Sequence, residues 1–141
     1  ILIASTKARF ADTHARVGVV PGWGLSQRLP RLVGINRAKE LSLSGNFLDA
    51  QTAYNWGLVN RVVDPDDLLP SARALAQDIL STDRPTREAM LNIMDRGWNT
   101  TLADGLDVEA VANKSHAANH VKSEKIAARR QEILRRGRSQ A

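Results

Sequence analysis

The first five residues, Ile-Leu-Ile-Ala-Ser, constrain the fold most, because they form an apolar, β-prone run with no polar face. A strand that is apolar on both faces belongs inside a parallel or mixed sheet, where neighbouring strands satisfy its backbone groups. Residues 6–63 offer at most two further short strand candidates, at 8–11 and 58–63, which are too few for a covered sheet. We therefore expect this chain to be the C-terminal part of a longer protein that supplies the other strands.

The composition is that of an ordinary globular domain, with 141 residues of which 43% are hydrophobic and 25% charged. Cysteine is absent, which excludes disulfides, thiolate metal sites and thiol nucleophiles, and favours a reducing cytoplasm. Every apolar run is far too short to cross a bilayer, so we expect no membrane association.

Positive charge is concentrated at the C-terminal end. Residues 114–141 contain eight basic and two acidic residues, whereas residues 1–113 contain 12 and 13. Such a segment attracts any polyanion, including nucleic acid, a membrane surface or a phosphorylated small molecule. Charge alone does not choose among these partners.

Glycine and proline divide the first half of the chain. Residues 18–26 contain three glycines and a proline and predict a loop that leads into a helix, whose first N–H groups are free. Pro30 and Gly34 are expected to break that helix, and a second helix is predicted at 35–44 with Gly45 as its stop. Asp49 is expected to cap a third helix that ends at Gly57.

Beyond residue 64 the pattern predicts helices only, four in number, with apolar residues at helical spacing. The second carries Met90, Met94 and Trp98, interpreted as a core stripe, and Trp56 is expected to be buried too. The polar region 113–123 is expected to separate the third helix from the fourth. The sequence thus divides into an α/β portion, residues 1–64, and a helical region, residues 65–141.

Three segments together resemble the crotonase, or enoyl-CoA hydratase/isomerase, superfamily: FADTHARVGVVPGWG at 10–24, QRLPRLVG at 27–34 and WGLVN at 56–60. The resemblance implies an α/β fold in which residues 1–64 are the C-terminal part of a ββα spiral core. Residues 65–141 would then be a helical trimerisation region. It also implies a homotrimer or hexamer, completed by the missing N-terminal half.

The function that this resemblance implies is binding of an acyl-CoA thioester and addition of water across the 2,3-double bond of an enoyl-CoA in fatty acid metabolism. Two backbone N–H groups in the absent half would hold the thioester oxygen, and the first catalytic Glu would lie there too. We therefore expect residues 1–141 alone to be inactive. CoA is part of the substrate, and no separate cofactor, metal, membrane or nucleic acid is implied.

His14 departs from the family pattern, because the motif F-A-x-P-E-x-x-x-G places the second catalytic Glu at this position. An imidazole with a reference pKa of about 6.5 can serve as acid or base near neutral pH. Alternatively, His14 is a hydrogen-bonded loop side chain without a catalytic role. Asp12 is either a substitute carboxylate or a residue that bonds local backbone in a turn.

The proline–glycine loop supplies the other candidate site residues. Gly22 matches the family glycine whose backbone N–H contacts the reacting water, although it can equally be a turn glycine. Trp23 and Leu25 are candidates for lining the acyl pocket, and Trp23 can instead be a packing anchor.

The remaining polar candidates carry weaker signals. His116 and His120 have the i, i+4 spacing of a helical metal site, but no third ligand is near in sequence. Arg28 and Arg31 are interpreted as surface charges. The C-terminal basic residues are either a solvated face or, as the resemblance implies, contacts to the CoA phosphates of a neighbouring subunit.

Three alternative functions stay open at this level. The loss of Glu at position 14 is compatible with a catalytically altered isomerase or with a non-catalytic assembly subunit. A helical module that binds nucleic acid through its basic end is the third, although no aromatic residues are interleaved with that basic run.

Overall fold

The computed structural model describes residues 1–139, and these form two compact units, Ile1–Gln77 and the chain from Asp78 onward. The elements, in chain order, are β1 Ile3–Ser5, β2 Arg9–Phe10, α1 His14–Val17, α2 Leu25–Val33, α3 Ile35–Ser44, β3 Leu48–Asp49, α4 Ala50–Asn55, β4 Arg61–Val63, a 3₁₀ turn Pro65–Asp67, α5 Leu68–Leu80, α6 Arg84–Gly97, α7 Leu102–His120 and α8 Ser123–Ser139.

The first unit contains two small sheets. β1 pairs with β4 in parallel, with Ala4 opposite Val62, which confirms that the opening apolar run belongs to a parallel arrangement. β2 pairs antiparallel with β3, a strand that the sequence did not predict. Ile1 and Leu2 are 79% and 51% exposed, so the start of the opening apolar run is not covered by the chain's own atoms.

Small and branched apolar residues fill two adjoining cores in this unit. One core joins β1 to α4 and β4, and its buried members are Ala4, Ala50, Ala53 and Val59. The other joins α2 to α3, and its buried members are Leu29, Val33, Ala38 and Leu41. Half-buried Leu58 packs against both cores, which links the sheet to the helix pair.

Local signals account for the helix ends that were predicted correctly. α3 spans Ile35–Ser44 and ends at Gly45, which takes the left-handed conformation at φ 62°. Asp49 caps α4, accepting a hydrogen bond from the Thr52 backbone N–H at 2.6 Å. α2 begins after Gly24, as the loop pattern predicted.

Several local predictions were wrong for tertiary or cooperative reasons. Pro30 lies inside α2 rather than ending it. Proline has no N–H to donate within the helix, but the burial of Leu29 and Val33 against α3 offsets the loss of that hydrogen bond. His14 begins the short helix α1 instead of lying in a loop. α7 runs to His120, through the polar region expected to separate the third and fourth helices.

The second unit is helical throughout its described residues. α6 and α7 form a hairpin in which the backbones of Gly97 and Gly105 approach closely. Met90, Met94 and Trp98 are 50%, 60% and 67% exposed, so their interpretation as a core stripe was wrong within the described chain. Trp56, in the first unit, is half-buried, with the Arg37 guanidinium over its ring at 5.6 Å. No described helix combines the length and apolarity needed to span a bilayer.

Replacing Gly45 with Ala should destabilise the protein more than replacing Gly18 with Ala. Both glycines end a helix in the left-handed region, at φ 62° and 75°, which costs a residue with a Cβ about 1–2 kcal/mol. A Cβ at position 45 would lie 2.5 Å from Arg16 Cγ, whereas one at position 18 meets nothing within 4 Å. Urea unfolding of both variants measures the difference in unfolding free energy.

The control for this comparison is Arg16→Ala combined with Gly45→Ala, which removes the clashing stem. We expect the extra cost of the alanine to shrink in that background. Equal destabilisation by Gly45→Ala and Gly18→Ala would show that Arg16 does not restrict position 45.

Candidate active site

The candidate site begins where β2 ends and the chain turns into α1. Asp12 is 4% exposed, and its Oδ1 atom accepts a hydrogen bond from the His14 backbone N–H at 3.2 Å. This bond confirms the predicted turn role of Asp12. The same Oδ1 lies 2.6 Å from Nδ1 of the His14 imidazole. One carboxylate oxygen therefore fixes both the backbone and the side chain of His14.

Arg16 ties α1 to the end of α3. Its Nε donates to the backbone carbonyl of Ser44 at 2.7 Å, and an Nη atom donates to Asn46 Oδ1 at 3.4 Å. The carbonyls at a helix C-terminus lack intrahelical partners, so a guanidinium is well placed there. Because Arg16 lies only two residues beyond His14, this contact also restrains the position of the imidazole.

The Asp12 carboxylate is ionised in spite of its burial. Burial alone would raise its pKa, but the nearby Ser42 side chain, the hydrogen bonds from His14 and the charge interaction with His14 outweigh that effect and hold the pKa of Asp12 below its ordinary value. Its second oxygen, Oδ2, is buried and has no hydrogen-bond partner among the residues that the structure describes. A buried carboxylate with a half-exposed imidazole above it is an arrangement suited to proton transfer.

The proline–glycine loop places the other predicted site residues differently. Gly22 is outside the left-handed region, and a Cβ there would meet nothing within 4 Å, so neither backbone conformation nor space requires glycine. Trp23 is 94% exposed, which leaves it without a packing role in the described chain. Leu25 is half-buried and packs against the core between α2 and α3.

Several apolar side chains close to Gly22 in sequence are exposed. Three side chains of the loop and the last side chain of α1 are exposed by 56% or more: Val19, Val20 and Trp23 in the loop, and Val17 in α1. Single exposed apolar residues are common, but a group of this kind in one short segment is typical of a ligand or interface wall.

The histidines of the second unit lie together on α7. The rings of His116 and His120 lie 4.9 Å apart, and His116 Nε2 is 3.0 Å from the Thr86 hydroxyl. No group of three or more potential metal ligands occurs among the described residues. Two basic residues of α8 make ion pairs, Arg136 with Asp78 at 2.7 Å and Arg129 with Asp83 at 3.5 Å. Arg28 and Arg31 are exposed, as predicted.

Sequence reasoning missed Arg16 and Ser42. Arg16 could have been suspected from its place two residues after His14. Ser42 had no local signal, because it lies 30 residues beyond Asp12 and reaches the carboxylate only through the packing of α3.

Acid should remove the stability that the Asp12 carboxylate contributes. Its folded-state pKa is lowered, so the contribution is present above the unfolded pKa of about 3.9 and disappears as pH falls through the lower folded value. The difference in unfolding free energy between the unaltered protein and Asp12→Asn should therefore be constant above about pH 5 and shrink below about pH 4. Urea unfolding at a series of pH values from about 7 down to about 3 measures this difference.

The matched control is Asp107→Asn, a change at an exposed aspartate on α7. We expect that substitution to leave the pH dependence nearly unaltered. A stability difference for Asp12→Asn that stays the same from neutral pH to pH 3 would contradict the ion-pairing of Asp12.

Comparison with known proteins places this arrangement in a family. The enoyl-CoA hydratase/isomerase family model matches residues 1–132. A protein of Arabidopsis thaliana named "Probable enoyl-CoA hydratase 1, peroxisomal" is 38% identical over 117 residues, which cover 83% of this chain and 43% of that protein. The chain spans under half the length of the first curated relatives that it matches.

Solved structures give the same result. An enoyl-CoA hydratase from Mycobacterium tuberculosis superposes with a TM-score of 0.70 and 48% identity, covering 84% of this chain and 53% of that one. An enoyl-CoA hydratase from Bacillus anthracis superposes with a TM-score of 0.85 and 32% identity, covering 92% and 50%. The fold is therefore that of part of a crotonase α/β domain followed by helices. This chain belongs to the enoyl-CoA hydratase/isomerase family.

Proposed function

We propose that the protein containing this chain is an enoyl-CoA hydratase that adds water across the 2,3-double bond of an enoyl-CoA in fatty acid metabolism. The observation that carries the proposal is the Asp12–His14 pair at 2.6 Å, at the position where the family motif has its second catalytic Glu. Family membership and the names of the relatives support the same reaction.

His14 is proposed as the acid–base residue of this site. The His14 side chain is 38% exposed, so it is open to a water molecule, whereas the Asp12 side chain beneath it is only 3% exposed. As the water oxygen bonds to C3, the imidazole takes a proton from that water and the double-bond electrons move to form the thioester enolate. A proton then returns to C2, so that one water is added in total and no electrons are gained or lost.

The rest of the machinery is proposed to lie outside this chain. The resemblance implies that the N-terminal half supplies the N–H groups that hold the enolate oxygen and the first catalytic Glu. We therefore expect no hydration by residues 1–141 alone. Because the reaction is redox-neutral, no redox cofactor is required, and CoA enters as part of the substrate.

The loop beyond α1 is proposed to form one wall of the thioester pocket. The Gly22 backbone N–H would hold the reacting water, since no other demand of the described structure explains a glycine there. Trp23 would present its exposed ring to the acyl chain, and Leu25 would narrow the pocket from the α2 side.

Assembly and compartment follow the family expectation. We propose a homotrimer or a hexamer, in which the exposed apolar residues of α6, α7 and α8 would be covered by other subunits.

The cytoplasm is the proposed compartment because the chain lacks cysteine, although the Arabidopsis relative is named as peroxisomal.

His14→Ala should lower kcat for crotonyl-CoA hydration by about 10²–10⁴-fold, the usual contribution of general acid–base catalysis. His14→Glu, which restores the family carboxylate, should retain more activity than the alanine variant. The measurement is the decrease in absorbance of the crotonyl-CoA double bond, with the full-length protein and its variants as the enzyme. His120→Ala on α7 is the matched histidine control and should change turnover by less than about twofold.

Two results would overturn the proposal. Turnover that does not change in His14→Ala would remove the acid–base role from this residue. An unaltered protein that moves a 3,4-double bond to the 2,3-position without net hydration would instead be an isomerase, the second candidate, which the replacement of Glu by His favours.

Gly22→Ala should separate activity from stability. The backbone conformation at position 22 accepts alanine, so the variant should be as stable as the original or more stable by about 0.4–1 kcal/mol. A methyl group beside the reacting water should nevertheless lower kcat by about tenfold or more, because small misplacements of reactants are costly.

Gly24→Ala provides the contrast, because Gly24 is in the left-handed region at φ 87°, where a residue with a Cβ is strained. That variant should be destabilised, as measured by urea unfolding. Full activity in a stable Gly22→Ala protein would show that the Gly22 backbone is not beside the reacting water.

A further inference from the structure

A single oxygen of Asp12 controls the orientation of His14. Oδ1 accepts the backbone N–H of His14 at 3.2 Å and faces its ring atom Nδ1 at 2.6 Å. Asp12 itself is held by burial, at 4% exposure, and by the nearby Ser42 side chain on α3. The carboxylate is thus a fixed point and the imidazole is oriented on it.

The chemistry of the pair fixes where the imidazole proton resides. An ionised carboxylate can only accept hydrogen bonds, so Nδ1 must carry the proton at this contact. In the neutral ring the lone pair is then on Nε2, the opposite atom. No group in the described part of the chain hydrogen-bonds Nε2, so this atom is available to a water or a substrate.

We infer that Asp12 is the positioning residue of the site and that it holds His14 in the Nδ1-protonated tautomer, so that Nε2 is the atom that exchanges the proton with water. This inference rests on the proposed hydratase function. It adds that a carboxylate–imidazole pair within this chain replaces the single carboxylate of the family motif. Asp12 acts only through His14 and does not touch the substrate.

The arrangement also distinguishes Asp12 from an ordinary turn residue. A turn requires only the bond from Oδ1 to the backbone N–H, which an asparagine would make equally well. The 2.6 Å contact to Nδ1 is additional and uses the same oxygen. An asparagine that keeps the backbone bond therefore still accepts from Nδ1, but it lacks the negative charge that stabilises the imidazolium formed when His14 takes a proton. Asp12→Asn is therefore the most informative substitution.

The experiment is a double-mutant cycle in the full-length protein, with Asp12→Asn, His14→Ala and both changes together. Asp12→Asn should lower kcat for crotonyl-CoA by about 10²-fold or more with little change in KM, because a neutral amide neither holds the proton on Nδ1 nor stabilises the protonated imidazole as a carboxylate does. In the His14→Ala background the same change should have no further effect beyond about twofold. Additive losses would mean that Asp12 acts through the structure in general, and would overturn the inference.

Asp49→Asn is the matched control. Asp49 caps α4 through its bond to the Thr52 N–H, and asparagine caps helices equally well, so activity should be retained. A loss of activity in this variant equal to that of Asp12→Asn would also overturn the specific role of Asp12.

A spectroscopic readout makes the test independent of activity and of the folding of any Asp12 variant. Nitrogen-15 NMR at alkaline pH reports which ring nitrogen of the unaltered protein carries the proton, with the His14 signals assigned by their loss in His14→Ala. Protonation at Nδ1 supports the inference, whereas protonation at Nε2 overturns it. If hydration depends on His14 but the proton is on Nε2, the inference fails alone; if the protein lacks hydratase activity, the proposed function fails.

Discussion

The burial of the Asp12 carboxylate is the interaction on which the rest of the site depends. A buried charge is unfavourable unless neighbouring groups stabilise it. Here the stabilising groups are His14, two residues along the chain, and Ser42, which lies on α3. The carboxylate thereby fixes the beginning of α1 against α3. Arg16 adds a second attachment between the same elements through the Ser44 carbonyl. The imidazole is therefore oriented by Asp12 on a helix that Arg16 attaches to α3.

The proline–glycine loop has a different physical character from this anchored pair. Its apolar side chains are exposed, and Gly22 meets no restriction from the described chain. A firmly held carboxylate–imidazole pair followed by an exposed apolar loop agrees with the proposal that other polypeptide completes the site. The cores between α2 and α3 and around α4 supply the rigidity, since they contain nearly all of the buried side chains among the described residues.

Much of the fold was predictable because caps and glycines act locally. The limits of α3, the Asp49 cap of α4 and the start of α2 all follow from residues within one helical turn of the boundary. The prediction that Pro30 breaks α2 was wrong, because a proline inside a helix costs a few kcal/mol of stability and the burial of neighbouring leucine and valine side chains offsets that cost. Helical spacing identified apolar faces on α6, but it carries no information about what covers them, and Met94 is exposed.

The sequence by itself determined the family and the parallel character of the opening strand, because motifs and periodicity are properties of neighbouring residues. Only the tertiary structure decided that Asp12 is buried beneath the imidazole and that Ser42 supports it. Burial depends on which segments pack together, and residues 30 positions apart meet at this carboxylate only once α3 has docked. Proximity across such a separation is a product of folding, and short-range pattern does not encode it.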